Sequence, residues 1–253
     1  MTDMEVVKAT ASKSPILMIY GAEGRGKTTL ASRFGNSVWL LLEAGLPRGV
    51  EVSAIGSTDS FEEVMAALRN IYATPGEYKT LVIDTVDMLE THLIEYVCAK
   101  HRWTNIETPN YGKGFVAADD EWRRLIRATT AIRDKHGFTV VLVCHATIER
   151  VDDPRAPTYT SYLPKLHKRA RHLVMDSCDL VGFLAEDLRI VTEDGGFRER
   201  TRAAAGAQRY LFVEGTPAFS AKNRFGMPNK IEIGKDFDIR SLSQYWAPNT
   251  EEI

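Results

Sequence analysis

The chain has 253 residues, which is enough for one large α/β domain with a hydrophobic core of its own. Its 44% hydrophobic and 26% charged residues are ordinary for a globular protein, and no apolar run is long enough to predict a membrane-spanning segment. With 32 Lys and Arg against 34 Asp and Glu, the net charge of -2 excludes a chain-wide basic surface, so a nucleic-acid site would have to be a local patch.

The first two thirds of the chain alternate between short apolar runs and helical patterns. Continuous apolar runs, which are typical of parallel strands buried on both faces, occupy residues 16–20, 38–42, 80–83 and 139–143. Helical patterns occupy residues 27–34, 60–72, 86–100 and 119–135, the second of which begins like a capped helix, with Ser60 before Glu62 and Glu63. The alternation predicts a mostly parallel, doubly wound sheet flanked by helices.

The last third of the chain has a different pattern. Residues 180–185, 188–192 and 208–213 have strand-like sequences, and residues 193–196 indicate a turn. We expect antiparallel strands that extend the same sheet on its C-terminal side. No linker marks a boundary, so the prediction is a single domain over residues 1–253, with a core of about 15–235, a short N-terminal leader and a polar C-terminal tail.

The N-terminus and the cysteines indicate where the protein acts. Residues 1–14 mix acids and lysines and lack the apolar segment of a secretory signal. Cys98, Cys144 and Cys178 are odd in number and widely spaced, which fits neither a zinc site nor a disulfide framework. We interpret them as small core residues and expect a cytoplasmic protein.

Residues 21–28 match the phosphate-binding pattern G-x-x-x-x-G-K-[ST] in full. Glycines let such a loop bend so that backbone N–H groups point at phosphate oxygens, and the helix that follows adds the positive end of its dipole. Lys27 would reach the β- and γ-phosphates, and the Thr28 hydroxyl would bind Mg²⁺. The predicted ATP-binding residues are Gly21, Ala22, Glu23, Gly24, Arg25, Gly26, Lys27, Thr28 and Thr29.

Two carboxylates at strand ends are candidates for the chemistry. Asp84 follows the run 80–83 and is predicted to hold Mg²⁺ together with Thr28. The next residue is Thr85, so a general base has to come from elsewhere, and Glu43 closes the run 38–42. We expect that strand to lie next to the phosphate-loop strand, with Glu43 at the same rim. For Asp87, a helix cap and a role at the site both stay open.

These features together resemble the core of the RecA family. The family carries its catalytic glutamate after the strand that follows the phosphate-loop helix, which implies Glu43. It also places a polar sensor at the end of the next core strand, which implies His145. Residues 222–226, KNRFG, are similar to a motif of RadA-type relatives, and by this resemblance Lys222 and Arg224 would reach the γ-phosphate of a neighbouring subunit. The resemblance therefore implies a homo-oligomer, either a ring or a filament. From the residues alone, a structural histidine and an exposed basic turn remain alternatives.

Over residues 15–230 the chain also resembles phage-encoded RecA-core ATPases of the Sak type, which act in single-strand annealing or recombination. The stretches 111–114, 150–154 and 164–170 carry the likeness together with His145. It implies ATP hydrolysis stimulated by single-stranded DNA, a role in phage recombination, and a place in the host cytoplasm. A single-strand-binding or other recombination protein is the implied partner.

Two long segments, 101–117 and 146–164, are predicted to be DNA-binding loops. Aromatic side chains interleaved with cations suit a single strand, because bases stack on rings while cations follow the phosphates. A packed or solvated surface stays the alternative, and Asp152 and Asp153 oppose binding. The candidate DNA-binding residues are Arg102, Trp103, Tyr111, Lys113, Arg150, Tyr159, Tyr162, Lys165, Lys168 and Arg169.

Two further functions remain open. A small-metabolite kinase would need an arginine-rich lid, for which Arg198, Arg200 and Arg202 are candidates. A non-catalytic, ATP-gated assembly module would need no general base, and Thr85, where many AAA-type ATPases have glutamate, favours it. The product of the reaction separates a kinase from an ATPase, since free phosphate without an acceptor excludes the kinase.

Overall fold

A computed structural model describes residues 13–194 and 199–246 of the chain. The strands are β1 (Ile16–Gly21), β2 (Ser37–Leu41), β3 (Ser53–Ala54), β4 (Thr80–Asp84), β5 (Thr139–Val151), β6 (Tyr159–Pro164), β7 (Leu180–Asp194), β8 (Glu199–Phe212), β9 (Lys222–Asn223) and β10 (Lys230–Glu232). The helices are α1 (Lys27–Ala31), α2 (Phe61–Ala73), α3 (Val86–His101), α4 (Lys113–His136) and α5 (Lys168–Ser177), and a 3₁₀ helix spans Ile239–Tyr245.

The sheet runs in the order β10-β8-β7-β1-β5-β4-β2-β3. The strands from β7 to β3 are parallel to their neighbours, whereas β8 and β10 add antiparallel strands beyond β7. Asp84 pairs in register with Val143, and Gly21 pairs with His145, so these strand ends share one rim. The architecture confirms the predicted α/β fold class, a mostly parallel sheet flanked by helices with antiparallel strands on the C-terminal side.

The predicted place of β2 was wrong. β2 pairs with β3 and β4, so that β4 and β5 separate it from the phosphate-loop strand β1. The crossover after α1 skips the two positions beside β1, which β5 and β7 occupy. Because all the parallel strands end at one rim, Glu43 still comes to the same edge of the sheet as the phosphate loop.

Both faces of the sheet are buried, which explains the continuous apolar runs. Along β1, Met18 and Tyr20 pack into the core beneath helices α2 to α5, while Leu17 and Ile19 pack into the core beneath α1 and the 3₁₀ helix. The three cysteines are buried, as expected. Within residues 13–194 and 199–246, no helix has the length and apolar character needed to cross a membrane.

The second predicted DNA loop, 146–164, was wrong in conformation, because most of it is a β-hairpin. β5 continues beyond the sheet to Val151 and pairs antiparallel with β6, from Ala146 opposite Pro164 to Val151 opposite Tyr159. β-Branched and aromatic residues in both arms favour strands, and the Asp152-Asp153-Pro154 stretch favours the turn between them. We call residues 146–164 the hairpin.

Other boundaries differ modestly from prediction. α2 begins as expected, and the Ser60 side chain accepts a hydrogen bond from the Glu63 backbone N–H. α4 starts six residues earlier than predicted, after Gly112, whose φ is 69°. The segments 180–185 and 188–192 form one strand with an irregularity between Glu186 and Leu188. The structure does not describe residues 1–12, 195–198 and 247–253, which contain the predicted leader, Arg198 and the predicted tail. The side chains of residues 188–207 also lie outside the description.

Candidate functional site

The phosphate loop joins β1 to α1, and two of its glycines are required by its shape. Gly26 has φ = 85°, in the left-handed region that favours glycine. A Cβ at Gly21 would collide with the Leu184 carbonyl oxygen of β7. The Lys27 ammonium lies within the loop and donates to the Ala22 carbonyl oxygen at 3.0 Å. Burial lowers the pKa of Lys27, and the nearby Asp84 carboxylate opposes this effect.

The antiparallel strands brace the outer side of this loop. Arg25 forms an ion pair with Glu186 of β7 at 2.5 Å. Arg209 of β8 reaches the Arg25 carbonyl oxygen at 3.4 Å, and its guanidinium lies against Gly26. The loop is therefore held in place from the β7–β8 side.

Asp84 and Thr28 meet beside the phosphate loop. Asp84 is buried at the end of β4, and the Thr28 hydroxyl forms a hydrogen bond with it. Burial raises the pKa of Asp84, while the Thr28 hydrogen bond lowers it. A carboxylate and a hydroxyl suit Mg²⁺, which prefers oxygen ligands, and a cation here would offset the cost of burying the Asp84 charge.

Glu43 approaches the same point from the end of β2. The Thr85 hydroxyl donates to Glu43 Oε1 at 2.7 Å, so one carboxylate oxygen is held. Glu43 lines a cavity of about 250 Å³ together with Gly24, Lys27, Thr28 and other residues of the phosphate loop, Thr85 and His145. The carboxylate predicted as general base therefore borders the space in front of the phosphate loop.

His145 stands between two carboxylates in the same cavity. Its Nδ1 is 3.0 Å from Asp87 Oδ2 and 3.5 Å from Glu43 Oε1, and its backbone N–H donates to Asp87 Oδ1 at 3.0 Å. The hydrogen bond to Asp87 raises the pKa of His145, although burial opposes it. The sequence left open whether Asp87 is a helix cap or a residue of the site. Its position in the first turn of α3 was the signal that could have indicated the site.

A larger cleft of about 650 Å³ opens beside this site and has an acidic lining. Glu23, Glu43, Asp87, Glu90 and Glu149 border it, against the cationic side chain of Lys165 and the rings of His145 and His167. Burial raises the pKa of Glu90 to about 7. An acidic cleft repels a phosphate backbone, so the cleft is not suited to a nucleic-acid strand.

Lys222 and Arg224 lie at the opposite rim of the sheet. β9 pairs with the amino end of β7, where Leu180 is opposite Asn223. The Lys222 ammonium donates to the carbonyl oxygens of Met175 and Asp176 at 3.0 and 2.9 Å, and Arg224 pairs with Asp179 at 3.2 Å. The structure does not bring this pair to the phosphate loop of its own chain.

The first candidate DNA segment is a loop followed by the start of α4. Tyr111 is 96% exposed and has φ = 62°, which is unusual for an aromatic residue. Arg102 and Lys113 are also exposed. Trp103 instead stacks on His101, with ring centroids 4.4 Å apart, and packs against the core.

The other candidates are divided between exposed and internally paired groups. Tyr162 packs against Phe183, with centroids 5.1 Å apart, and Arg169 pairs with buried Asp119 at 2.5 Å. Lys165 lies 3.8 Å from Asp87 and stays largely exposed. Arg150 and Lys168 are exposed, and Tyr159 is half-buried. Much of the basic stretch 165–171 is therefore neutralised within the chain, since Arg171 also pairs with Glu149.

Comparisons with known proteins place the chain in a family and identify two similar proteins. A family model described as an AAA domain matches residues 13–225. The chain is 26% identical over 228 residues to the SPbeta prophage-derived uncharacterized protein YorG of Bacillus subtilis (strain 168); the match covers 86% of this chain and 66% of that protein, so the chain spans just under two thirds of this relative. The crystal structure of the RadB recombinase is similar with a TM-score of 0.49 and 13% identity, over 86% of this chain and 85% of that one.

Proposed function

The chain belongs to the AAA domain family, whose model covers residues 13–225, and from this premise we propose that it binds and hydrolyses ATP at its phosphate loop. The observation that carries the proposal is the meeting of four groups at one rim of the sheet. Lys27 and Thr28 begin α1, Glu43 follows β2, Asp84 ends β4, and His145 lies within β5 at the rim. Lys27, Thr28, Glu43 and His145 line one cavity, and Asp84 is buried at the end of β4 beside it.

Each group has a defined task in this proposal. Backbone N–H groups of the loop and the Lys27 ammonium bind the phosphates. Thr28 and Asp84 would hold Mg²⁺, which would neutralise charge on the phosphates. Glu43 accepts a proton from the attacking water through the carboxylate oxygen that Thr85 leaves free. Asp87 raises the pKa of His145 and so favours its protonated form. The protonated His145 donates a hydrogen bond to the γ-phosphate.

We propose single-stranded DNA as the partner that stimulates hydrolysis. The support is the resemblance to Sak-type ATPases and the set of exposed aromatic and cationic side chains at Arg102, Tyr111, Lys113 and Lys168. Because the cleft beside the phosphate loop is acidic, the strand would pass over the outer surface of these elements. A role in phage recombination or annealing, in the host cytoplasm and beside a single-strand-binding protein, is part of the same proposal, and YorG is itself prophage-derived.

A homo-oligomer is the second part of the proposal. Lys222 and Arg224 lie at the rim opposite their own phosphate loop, so only a neighbouring subunit could offer them a γ-phosphate. In that position the planar guanidinium and the ammonium would neutralise charge that develops during hydrolysis.

The test is phosphate release from Mg–ATP with and without single-stranded DNA, with Glu43→Gln beside the wild type. Glu43→Gln should lower turnover by about 10²–10⁴-fold while nucleotide affinity stays within a few-fold, because only proton transfer is removed. Glu51→Gln, at an exposed site after β2, is the control and should behave as the wild type.

Two results would contradict the proposal. Turnover unchanged in Glu43→Gln would remove Glu43 as the base, and phosphate transfer only to a small acceptor would favour the kinase. Equal turnover with and without DNA would leave the ATPase standing and exclude the coupling to a single strand.

A further inference from the structure

Two carboxylates on α3, one helical turn apart, hold the two ends of the hairpin. Asp87 Oδ1 accepts a hydrogen bond from the backbone N–H of His145, directly before the hairpin, at 3.0 Å. Glu90 accepts from the backbone N–H of His167, three residues beyond the hairpin, at 2.8 and 3.1 Å. The ends are also tied to each other, because the Lys165 backbone N–H donates to the His145 carbonyl oxygen at 2.8 Å.

Asp87 binds His145 twice, and the two contacts face different parts of the protein. The second oxygen of Asp87 forms a hydrogen bond with the imidazole Nδ1 of His145 at 3.0 Å, and the imidazole borders the phosphate-loop cavity. The first oxygen accepts a hydrogen bond from the backbone N–H of His145, the residue at which the hairpin leaves the sheet. A rotation of the imidazole therefore acts on the same carboxylate that holds the hairpin backbone.

The far end continues into the surface proposed for DNA. The His167 ring stacks on Phe115 near the start of α4, with centroids 3.8 Å apart and planes 9° apart. Tyr111 and Lys113 lie just before Phe115 along the chain. Glu90, His167 and Phe115 thus connect α3 with the first turn of α4.

We propose that Asp87 is a positioning residue that transmits the contact of His145 with the γ-phosphate to the hairpin, and that Glu90 anchors the second end of the hairpin on the same helix. The proposal rests on the proposed function, since it requires ATP at the phosphate loop. A merely structural clamp would hold the hairpin equally with and without nucleotide. The coupled clamp makes the mobility of the hairpin depend on nucleotide.

The test is amide hydrogen exchange of the full chain with and without a non-hydrolysable Mg–ATP analogue, in wild type and Asp87→Asn. In the wild type, the analogue should slow exchange in residues 21–29 and change exchange in the hairpin by at least about fivefold, the lower end of ordinary coupling between sites. In Asp87→Asn, protection of the phosphate loop should persist while the response of the hairpin is lost. Glu121→Gln is the matched control, because the Glu121 side chain, like that of Asp87, is only 8% exposed and lies at a helix interface.

The outcomes separate this inference from the proposed function. A wild type without protection of residues 21–29 overturns both. A wild type with a protected phosphate loop but an unresponsive hairpin, or Asp87→Asn with the full response, overturns the inference alone. If Asp87→Asn does not fold, Glu90→Gln carries the test: it should lose the response in β6 and keep it in β5, and a wild-type response in both strands contradicts the clamp.

Discussion

Thr85 follows the strand-end aspartate and binds a carboxylate that comes from a different strand. Its hydroxyl is 2.7 Å from Glu43 Oε1, so the proposed base is fixed by a neighbour in space, since β2 and β4 pair side by side. The absence of glutamate at position 85 therefore does not argue against hydrolysis. In our proposal, a hydroxyl at this position and a glutamate at position 43 together replace the usual acidic pair.

Thr85→Val should lower kcat for ATP hydrolysis about 10- to 100-fold with little change in nucleotide affinity. Valine has nearly the same shape but cannot donate a hydrogen bond, so Glu43 would no longer be held, and small displacements of a catalytic group are costly. The measurement is steady-state phosphate release, together with equilibrium nucleotide binding. Thr91→Val on the exposed side of α3 is the control, and turnover equal to that of the wild type in Thr85→Val would contradict the role.

Glu90 should make the protein less stable as pH rises from about 5 to 7. Its pKa is raised to about 7 in the folded chain from 4.5, so the native state binds the proton more tightly than the unfolded state over this range. The free energy of unfolding should fall by roughly 1–3 kcal/mol more in the wild type than in Glu90→Gln, and level off above pH 7. Urea unfolding at several pH values measures this, with exposed Glu95→Gln as control; parallel curves for wild type and Glu90→Gln would refute it.

At the scale of elements, the sequence predicted the buried strands well because burial on both faces leaves a continuous apolar run. Ser60 also predicted the start of α2, since a cap is a local interaction. Strand order was not predictable in this way: β2 is separated from β1 by two strands that come later in the chain. Asp87 was undecided for the same reason, because its partner His145 is 58 residues away.

The loop before α4 allows a prediction in which stability and binding change in opposite directions. Tyr111→Gly should raise the free energy of unfolding by up to about 1 kcal/mol, because glycine adopts φ = 62° without strain. The same change should weaken single-strand binding by about 1–3 kcal/mol, the contribution of one stacked base.

Asn36→Gly is the matched control, since Asn36 also has a positive φ, 48°, but lies before β2 in the turn after α1. It should affect stability alone. Thermal melting and fluorescence anisotropy with a labelled oligonucleotide measure the two effects. Unchanged affinity in Tyr111→Gly would remove Tyr111 from the DNA surface.

At the scale of the whole molecule, the sheet separates two sets of cationic side chains that we propose to contact phosphate. Lys27 stands at the carboxyl ends of the parallel strands, and Lys222 and Arg224 stand at the amino end of β7. One chain cannot bring them together, so a complete site would need two copies arranged head to tail.

Mixing two inactive variants tests this arrangement. Lys27→Ala removes the nucleotide contact and Arg224→Ala removes the trans-acting guanidinium, so each alone should retain less than about a tenth of wild-type turnover. Equimolar mixing should restore activity, since some interfaces then combine an intact phosphate loop with an intact Arg224. Arg240→Ala, which removes another exposed arginine, is the control. No recovery on mixing, with both variants folded and associated, would contradict a shared site.

The separation of the two rims has a consequence for enzyme kinetics. Head-to-tail contacts that do not close into a ring leave one unpaired interface surface at each end of the assembly. An open chain of n copies therefore has n − 1 working interfaces. Specific activity per copy would then climb with protein concentration and level off as chains lengthen. A closed ring has as many interfaces as copies, and dilution would lower its activity only by dissociating the ring.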